Sequence, residues 1–237
     1  MPASRILVAL ATYNEIENVP ALVDAIFQAL PTADILVIDD NSPDGTGQWC
    51  DERATSEPRL ACLHRPGKQG LGSATMAGLR WSLDKAYGVV VTMDADWSHD
   101  PRHLPELVHA VEAADVAIGS RYCDGGQIDV WPLHRRVMSR TINCLSRLLL
   151  RLPVGDTSGA FRAYRVAALQ IIELSNVQAA GSSYLAEILW HLHRSGATFH
   201  EVPITFRERR AGKSKVNLHE AVAKISTLIR LAKTGNP

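Results

Sequence analysis

The chain has 237 residues, 46% hydrophobic and 21% charged, with Lys+Arg and Asp+Glu both at 25. That length and balance fit a globular α/β domain with a large core and exclude a disordered or fibrous chain. A net charge of zero removes any general pull toward nucleic acid or membrane, so binding must come from local clusters.

The cysteines at 50, 62, 123 and 144 form no CxxC pair, which argues against a zinc site and for reduced thiols in a cytosolic protein. No signal peptide is visible, and no apolar run approaches the ~20 residues that span a bilayer.

In chain order, RILVALA (5–11) predicts a buried strand. Asn14 is placed to cap a helix over 15–30. DILVIDD (34–40) predicts a second strand, ended by the turn-rich NSPDGT. A weaker helix over 45–56 precedes a third strand, RLACLHR (59–65). PGKQGLGSA then leads into a helix reaching about 86. A strand over 88–93 ends in MDADWSHDP, followed by a helix over 101–112 and a strand over 115–120. A loop over 121–132 opens an arginine-rich helix over 133–152. GDTSGAFRAYR (155–165) enters a strand, and a helix over 182–195 and a strand over 197–206 follow. RERRAGKSK (207–215) is a basic loop, and an amphipathic helix over 217–233 carries Leu218, Ala221, Val222, Ile225, Leu228 and Ile229 on one stripe. Alternating strands and helices predict a largely parallel sheet covered on both faces. Asp39, Asp40, Asp94, Asp96 and Arg121 all fall at strand ends, the ligand-binding edge of such sheets.

Each motif has a functional and a bland explanation. Asp94 and Asp96 sit one residue apart and repel unless something positive neutralises them. They hold a hard cation such as Mg²⁺, which takes one or two carboxylates plus phosphate oxygens, or they form an acidic turn capped by Ser98 or Asp100. Asp39 and Asp40 accept hydrogen bonds from a base or ribose, or make ordinary turn chemistry. Two acidic strand ends together favour the functional side. PGKQGLGSA is neither GxxxxGK[ST] nor GxGxxG, which weakens NTPase and dehydrogenase assignments; Lys68 reaches a diphosphate or is solvated. The run Arg207, Arg209, Arg210, Lys213 and Lys215 clamps phosphates, rests on anionic lipid, or is solvated. The helix over 133–152 lies in a membrane interface or packs on the core with its arginines in water. His99 and His103 are read as non-ligands.

The series ATYNEIENV, VIDDNSPDGT, GKQGLGSA, MDADWSHDP, GSRY, DTSGAFRAYR and EVPITFRERRAGKSK, spread over residues 7–216, resembles the dolichol-phosphate (polyprenyl-phosphate) mannose synthase group of the family 2 glycosyltransferases. The resemblance implies a GT-A (Rossmann-like) α/β fold with a mostly parallel sheet, a Mg²⁺ or Mn²⁺ ion, a GDP-mannose donor and a polyprenyl (dolichyl) monophosphate acceptor, with inversion to a β-mannosyl phosphate. It implies that Tyr13 and Glu15 contact the nucleotide, that Asp40 with Asp39 lies near its base and ribose, and that Asp94 and Asp96 bind the metal; Lys68 is expected to bind the same nucleotide. Ser98 stands where some relatives carry a third ligand. Arg121, Arg135 or Arg136, and Arg207 surround the phosphates, Lys213 and Lys215 cover the donor, and Asp156 orients the site. Asp96, Arg121, Arg136 and Arg207 are the expected catalytic set.

Residues 1–210 are expected to form the catalytic domain and 211–237 a basic loop with an amphipathic helix. With no spanning segment, the protein is expected at the cytoplasmic face of a membrane, held by its amphipathic helices or by a small membrane-anchor subunit, with no nucleic-acid partner. The alternatives are a polyprenyl-phosphate glycosyltransferase using UDP-glucose or another sugar nucleotide, and a non-catalytic nucleotide-sugar-binding subunit of a membrane complex.

Overall fold

The structure, a computed structural model, describes residues 5–177, 179, 181–207 and 218–234, with side chains in the last segment from residue 225 on. The strands are β1 (Ile6–Thr12), β2 (Asp34–Asp39), β3 (Leu60–His64), β4 (Val89–Asp94), β5 (Val116–Ser120), β6 (Gln127–Ile128), β7 (Arg162–Arg165), β8 (Phe199–Pro203) and β9 (Thr205–Phe206). The helices are α1 (Val19–Ala29), α2 (Thr46–Ala54), α3 (Leu71–Asp84), α4 (Leu104–Ala110), α5 (Leu133–Leu150), α6 (Val166–Ile171), α7 (Tyr184–Arg194) and α8 (Leu218–Thr234).

Seven strands form one sheet in the order β3-β2-β1-β4-β7-β5-β8. Successive strand residues point to opposite faces, and here each face meets its own core. Leu7, Ala9, Leu36, Ile38, Val90 and Tyr164 pack toward α3, α6, α7 and α8. Val8, Leu10, Ile35, Val37, Val91 and Ala163 pack toward α1 and α4. Burial on both faces is why these strands read as continuous apolar runs.

Most expected elements are present. The sheet is mostly parallel, but β7 runs antiparallel and is inserted between β4 and β5. Three other features differ from expectation. First, α1 begins at Val19, and Asn14 does not cap it. Asn14 instead adopts φ 60° and gives its N–H to Ser42 Oγ. Asp44 and Thr46 take the N–H groups of Ile16 and Glu15. The 14–16 turn is therefore tied to the loop after β2, leaving its donors unavailable to a helix. Second, the segment over 197–206 breaks at Ile204 into β8 and β9, and β9 pairs with β6.

Third, α5 splits its apolar residues between core and solvent: Leu145 and Leu150 pack inward, but polar residues share the buried side. Asn143 and Ser146 are buried, while Leu133, Val137 and Leu148 are 76%, 54% and 68% exposed. Asn143 Oδ1 accepts from Thr157 N and Oγ1 at 2.8 and 2.9 Å, which satisfies a buried polar face. On α8, Leu228 and Leu231 enter the core, but Ile225 and Ile229 of the expected stripe face outward. Arg230 of α8 pairs with the buried Glu187 of α7 at 2.8 Å. Among the described residues, no helix is long and apolar enough to cross a membrane.

Candidate active site

Strand pairing fixes the geometry of the acidic edge. In β1, Thr12 pairs with Asp39 of β2, and Ala11 pairs with Asp94 of β4. The two acidic strand ends thus flank one strand on the same edge, about 10 Å apart at two strand spacings. That distance suits a ligand with a polar group at each end.

At the β2 end, Asp39 is buried and accepts from Thr12 Oγ1, Ser42 N and Ser42 Oγ. It organises the turn that carries Asp44. Asp40 is also buried and lies 2.9 Å from Arg65 Nη1, an ion pair in which that N–H does not line up as a hydrogen bond. Its Oδ2 accepts from Gln69 N at 3.0 Å, and Arg65 Nη2 reaches Gln69 Oε1 at 2.7 Å. Asp40 therefore shapes the 65–70 loop, which carries Lys68. Lys68 Nζ sits 3.9 Å above the Tyr13 ring, so Tyr13 and Lys68 meet at this end. Glu15 Oε2 accepts from Asn18 at 2.7 Å on the same turn.

At the β4 end, Asp94 is partly exposed and Asp96 is buried. Asp96 Oδ1 accepts from Ser98 N at 3.0 Å, and Trp97 takes φ 65° to close the turn. Ser98 Oγ is buried with no hydrogen-bond partner among the described residues. A solvent-reachable carboxylate, a second one beside it and an orphan hydroxyl form an all-oxygen donor set that fits a hard divalent cation. His99 is not part of it. Burial pushes its pKa down to about 4, against the pull of Asp96. The neutral ring accepts the Asp94 N–H at Nδ1 and stacks on Phe161.

Two arginines converge on this end. Arg207 N donates to Ser98 O at 3.1 Å, and its guanidinium lies 3.5 Å from Asp100. Arg121, at the end of β5, donates through Nε and Nη2 to both oxygens of Asp156 at 2.7 Å. Asp156 is fully buried and also accepts from the backbone of Arg121 and Gly159. Burial alone would raise its pKa; the Arg121 charge holds it below the ordinary value. The Arg121 guanidinium is enclosed by the rings of Tyr122, Trp131 and Phe206 at 5.3–5.6 Å. Arg135 stacks on Trp131 at 3.9 Å, and Arg136 Nη2 donates to Ile128 O. An aromatic box of His99, Phe161, Phe206 and Trp131 thus joins the acidic turn to Arg121 and Arg135. Only the GSRY and DTSG motifs hinted at the Arg121–Asp156 pair; Trp131, Phe161 and Phe206 gave no signal beyond an apolar residue. Lys213, with Arg209, Arg210 and Lys215, lies outside the described residues.

Nucleotide-sugar chemistry fits such an edge: polar groups for a nucleoside at one end, an oxygen-rich cation site and arginines for a diphosphate at the other. Residues 7–172 match the description Glycosyl transferase family 2, and the chain belongs to that family. It is 46% identical over 230 residues to the polyprenol monophosphomannose synthase of Mycolicibacterium smegmatis, covering 95% of this chain and 87% of that one. It is 42% identical over 225 residues to the undecaprenyl-phosphate mannosyltransferase of Micrococcus luteus, covering 94% and 93%. Within the family, it falls in the polyprenyl-phosphate mannose synthase group. Among solved structures, glucosyl-3-phosphoglycerate synthase from Mycobacterium tuberculosis, in complex with Mn²⁺, UDP and glucosyl-3-phosphoglycerate, superposes with a TM-score of 0.68. The match covers 98% of this chain and 81% of that chain at 18% identity. At that identity the likeness is one of fold, and the fold is GT-A.

Proposed function

We propose that this protein transfers mannose from GDP-mannose to a polyprenyl monophosphate with inversion, giving a polyprenyl-phosphate β-mannose and GDP. The observation that carries the proposal is the register across β1, with Asp39 and Asp94 on either side of it at one edge. The two mannosyltransferase relatives direct the choice of sugar and lipid.

Each residue has a role in this scheme. Tyr13, Glu15 and Lys68 hold the nucleotide, with Asp39 and Asp40 setting the loops around it. Asp94 and Asp96, with Ser98 near them, hold Mg²⁺ or Mn²⁺. When bound, that ion neutralises charge on the diphosphate leaving group. Arg207, and Lys213 beyond it in sequence, add positive charge on the same group. A phosphate oxygen of the acceptor attacks the anomeric carbon on the face opposite the departing GDP. The new C–O bond forms as the bond to the β-phosphate oxygen breaks. A phosphate monoester has its second pKa near ~6, so the acceptor is already ionised at neutral pH and no strong base is required. Arg121 and Arg136 hold that anion, and Asp156 keeps Arg121 aimed.

The lipid demands an approach to a bilayer. The outer face of α5 offers exposed Leu133, Val137 and Leu148 beside exposed Arg140, Arg147 and Arg151, and α8 adds Ile225 and Ile229. Apolar side chains among arginines suit an anionic membrane surface.

Turnover of GDP-mannose with a short polyprenyl phosphate, run beside UDP-glucose and with or without Mg²⁺ or Mn²⁺, tests the scheme. Mannosyl-lipid formed from GDP-mannose and lost in Asp96→Asn is expected. A preference for UDP-glucose, or turnover that survives in the folded variant, would overturn it.

A further inference from the structure

The second cluster of metal-ligating side chains lies away from the acidic edge. Cys62 and His64 are two residues apart on β3 and so face the same side of the sheet. β3 is one of the sheet's two edge strands, and α2 packs over it, carrying Asp51. His64 Nε2 is 2.9 Å from Asp51 Oδ1, and His64 Nδ1 is 3.9 Å from Cys62 Sγ. One ligand atom from each of the three residues lies within 4.8 Å of the others, the single such group of three among the described residues. His64 and Asp51 are exposed at 51% and 60% of their side-chain surface, so the cluster is open to solution.

We propose that Asp51, Cys62 and His64 form a binding site for a thiophilic divalent cation of the Zn²⁺ type. One sulfur, one imidazole nitrogen and one carboxylate oxygen make a donor set that suits a borderline cation and contrasts with the all-oxygen set at Asp94 and Asp96. Cys62 Sγ and His64 Nδ1 lie 3.9 Å apart, close to the ~3.6 Å that a tetrahedral ion with ordinary Zn–S and Zn–N lengths imposes. Asp51 faces the other ring nitrogen, Nε2, and its exposed side chain must turn to bring the carboxylate onto the same ion. Water takes the fourth position. The sequence spacing offered only the absence of CxxC; the fold supplies the third ligand from α2.

The site also touches the donor edge. A Cβ at Gly47 would lie 3.1 Å from His64 Cε1 and 2.9 Å from Asp39 Oδ2, so the imidazole and that carboxylate flank the same glycine. The cation would fix the His64 ring beside the turn that Asp39 organises. The inference rests on these three residues alone and stands or falls separately from the mannosyl-transfer proposal.

Co²⁺ titration of the reduced, metal-free protein tests it. Stoichiometric binding with a thiolate-to-cobalt charge-transfer band, reversed by Zn²⁺, is expected. Cys62→Ser should abolish the band, His64→Gln should weaken the binding that the band reports by about tenfold or more, and Asp94→Asn should leave the band unchanged. In the unaltered protein, Zn²⁺ should also slow alkylation of Cys62, read by mass spectrometry. No charge-transfer band in the reduced protein, a band that survives in Cys62→Ser, or alkylation of Cys62 indifferent to Zn²⁺ would overturn the proposal.

Discussion

Arg121 and Asp156, 35 residues apart in sequence, meet as a buried two-point pair, with Nε and Nη2 each 2.7 Å from one carboxylate oxygen. Removing one partner of a buried pair leaves an uncompensated charge and costs about 3–5 kcal/mol. Asp156→Asn is therefore expected to lower unfolding free energy by that amount, measured in urea. Arg121→Lys cannot make the fork, so mannosyl transfer should fall well below wild type even where the protein remains folded.

The same pair sets a pH dependence. The Asp156 carboxyl is buried, which raises its pKa, but Arg121 brings it below the ordinary 3.8. A carboxylate depressed in the folded state contributes stability that is fully present above its unfolded pKa and lost as pH falls through the folded value. The margin of wild type over Asp156→Asn should be flat above about pH 5 and shrink below about pH 4. A margin that instead widened in acid would contradict the pairing.

Gly126 guards the position of Arg121. A Cβ there would lie 2.7 Å from the Arg121 carbonyl carbon and 2.7 Å from Ser120 O. Both are backbone atoms and have nowhere to move. Gly126→Ala should cost about 1–3 kcal/mol and depress turnover through Arg121. Thermal unfolding and steady-state kinetics on one preparation would check both.

Lys68 separates binding from stability. It is exposed, and its contact with Tyr13 is worth under about 1 kcal/mol at such a site. Lys68→Ala should leave the unfolding midpoint almost unchanged while raising the donor KM about tenfold, or ~1.4 kcal/mol. An unchanged KM would remove Lys68 from the nucleotide end.

The outer face of α5 gives a membrane test. Leu133 and Val137 are exposed, so Leu133→Glu and Val137→Glu should fold normally. Both should lose co-sedimentation with vesicles containing anionic phospholipid, assayed with no second protein. Wild type that ignores such vesicles would refute direct contact.

Much of the catalytic half could be read from sequence because its cues are local. The apolar run VVVTMD ends in carboxylates, and DILVID ends in a turn-rich segment, so strand ends and acidic edge were visible together. Cues fail where the partner is distant. RAYR gives four residues with nothing to mark them as antiparallel or central; only pairing with β4 and β5 decides that. Periodicity could not say which apolar residues of α5 turn inward, because its buried side mixes Leu145 and Leu150 with Asn143, whose partner Thr157 lies 14 residues on. The start of α1 was misplaced for a similar reason: Asp44 and Thr46 claim the N–H groups that would have begun it.

The insertion of β7 also has a consequence for biosynthesis. A chain emerging from the ribosome completes β3-β2-β1-β4 as soon as Asp94 is out, yet the open edge of β4 waits for Arg162–Arg165. β5 appears first and cannot fill the gap, since its sheet neighbours are β7 and β8. During that interval the nascent protein presents an apolar strand with unpaired backbone groups, the feature most prone to wrong pairing. The strand whose tip carries Asp94 therefore stays open until β7 arrives, and β8 then completes the sheet.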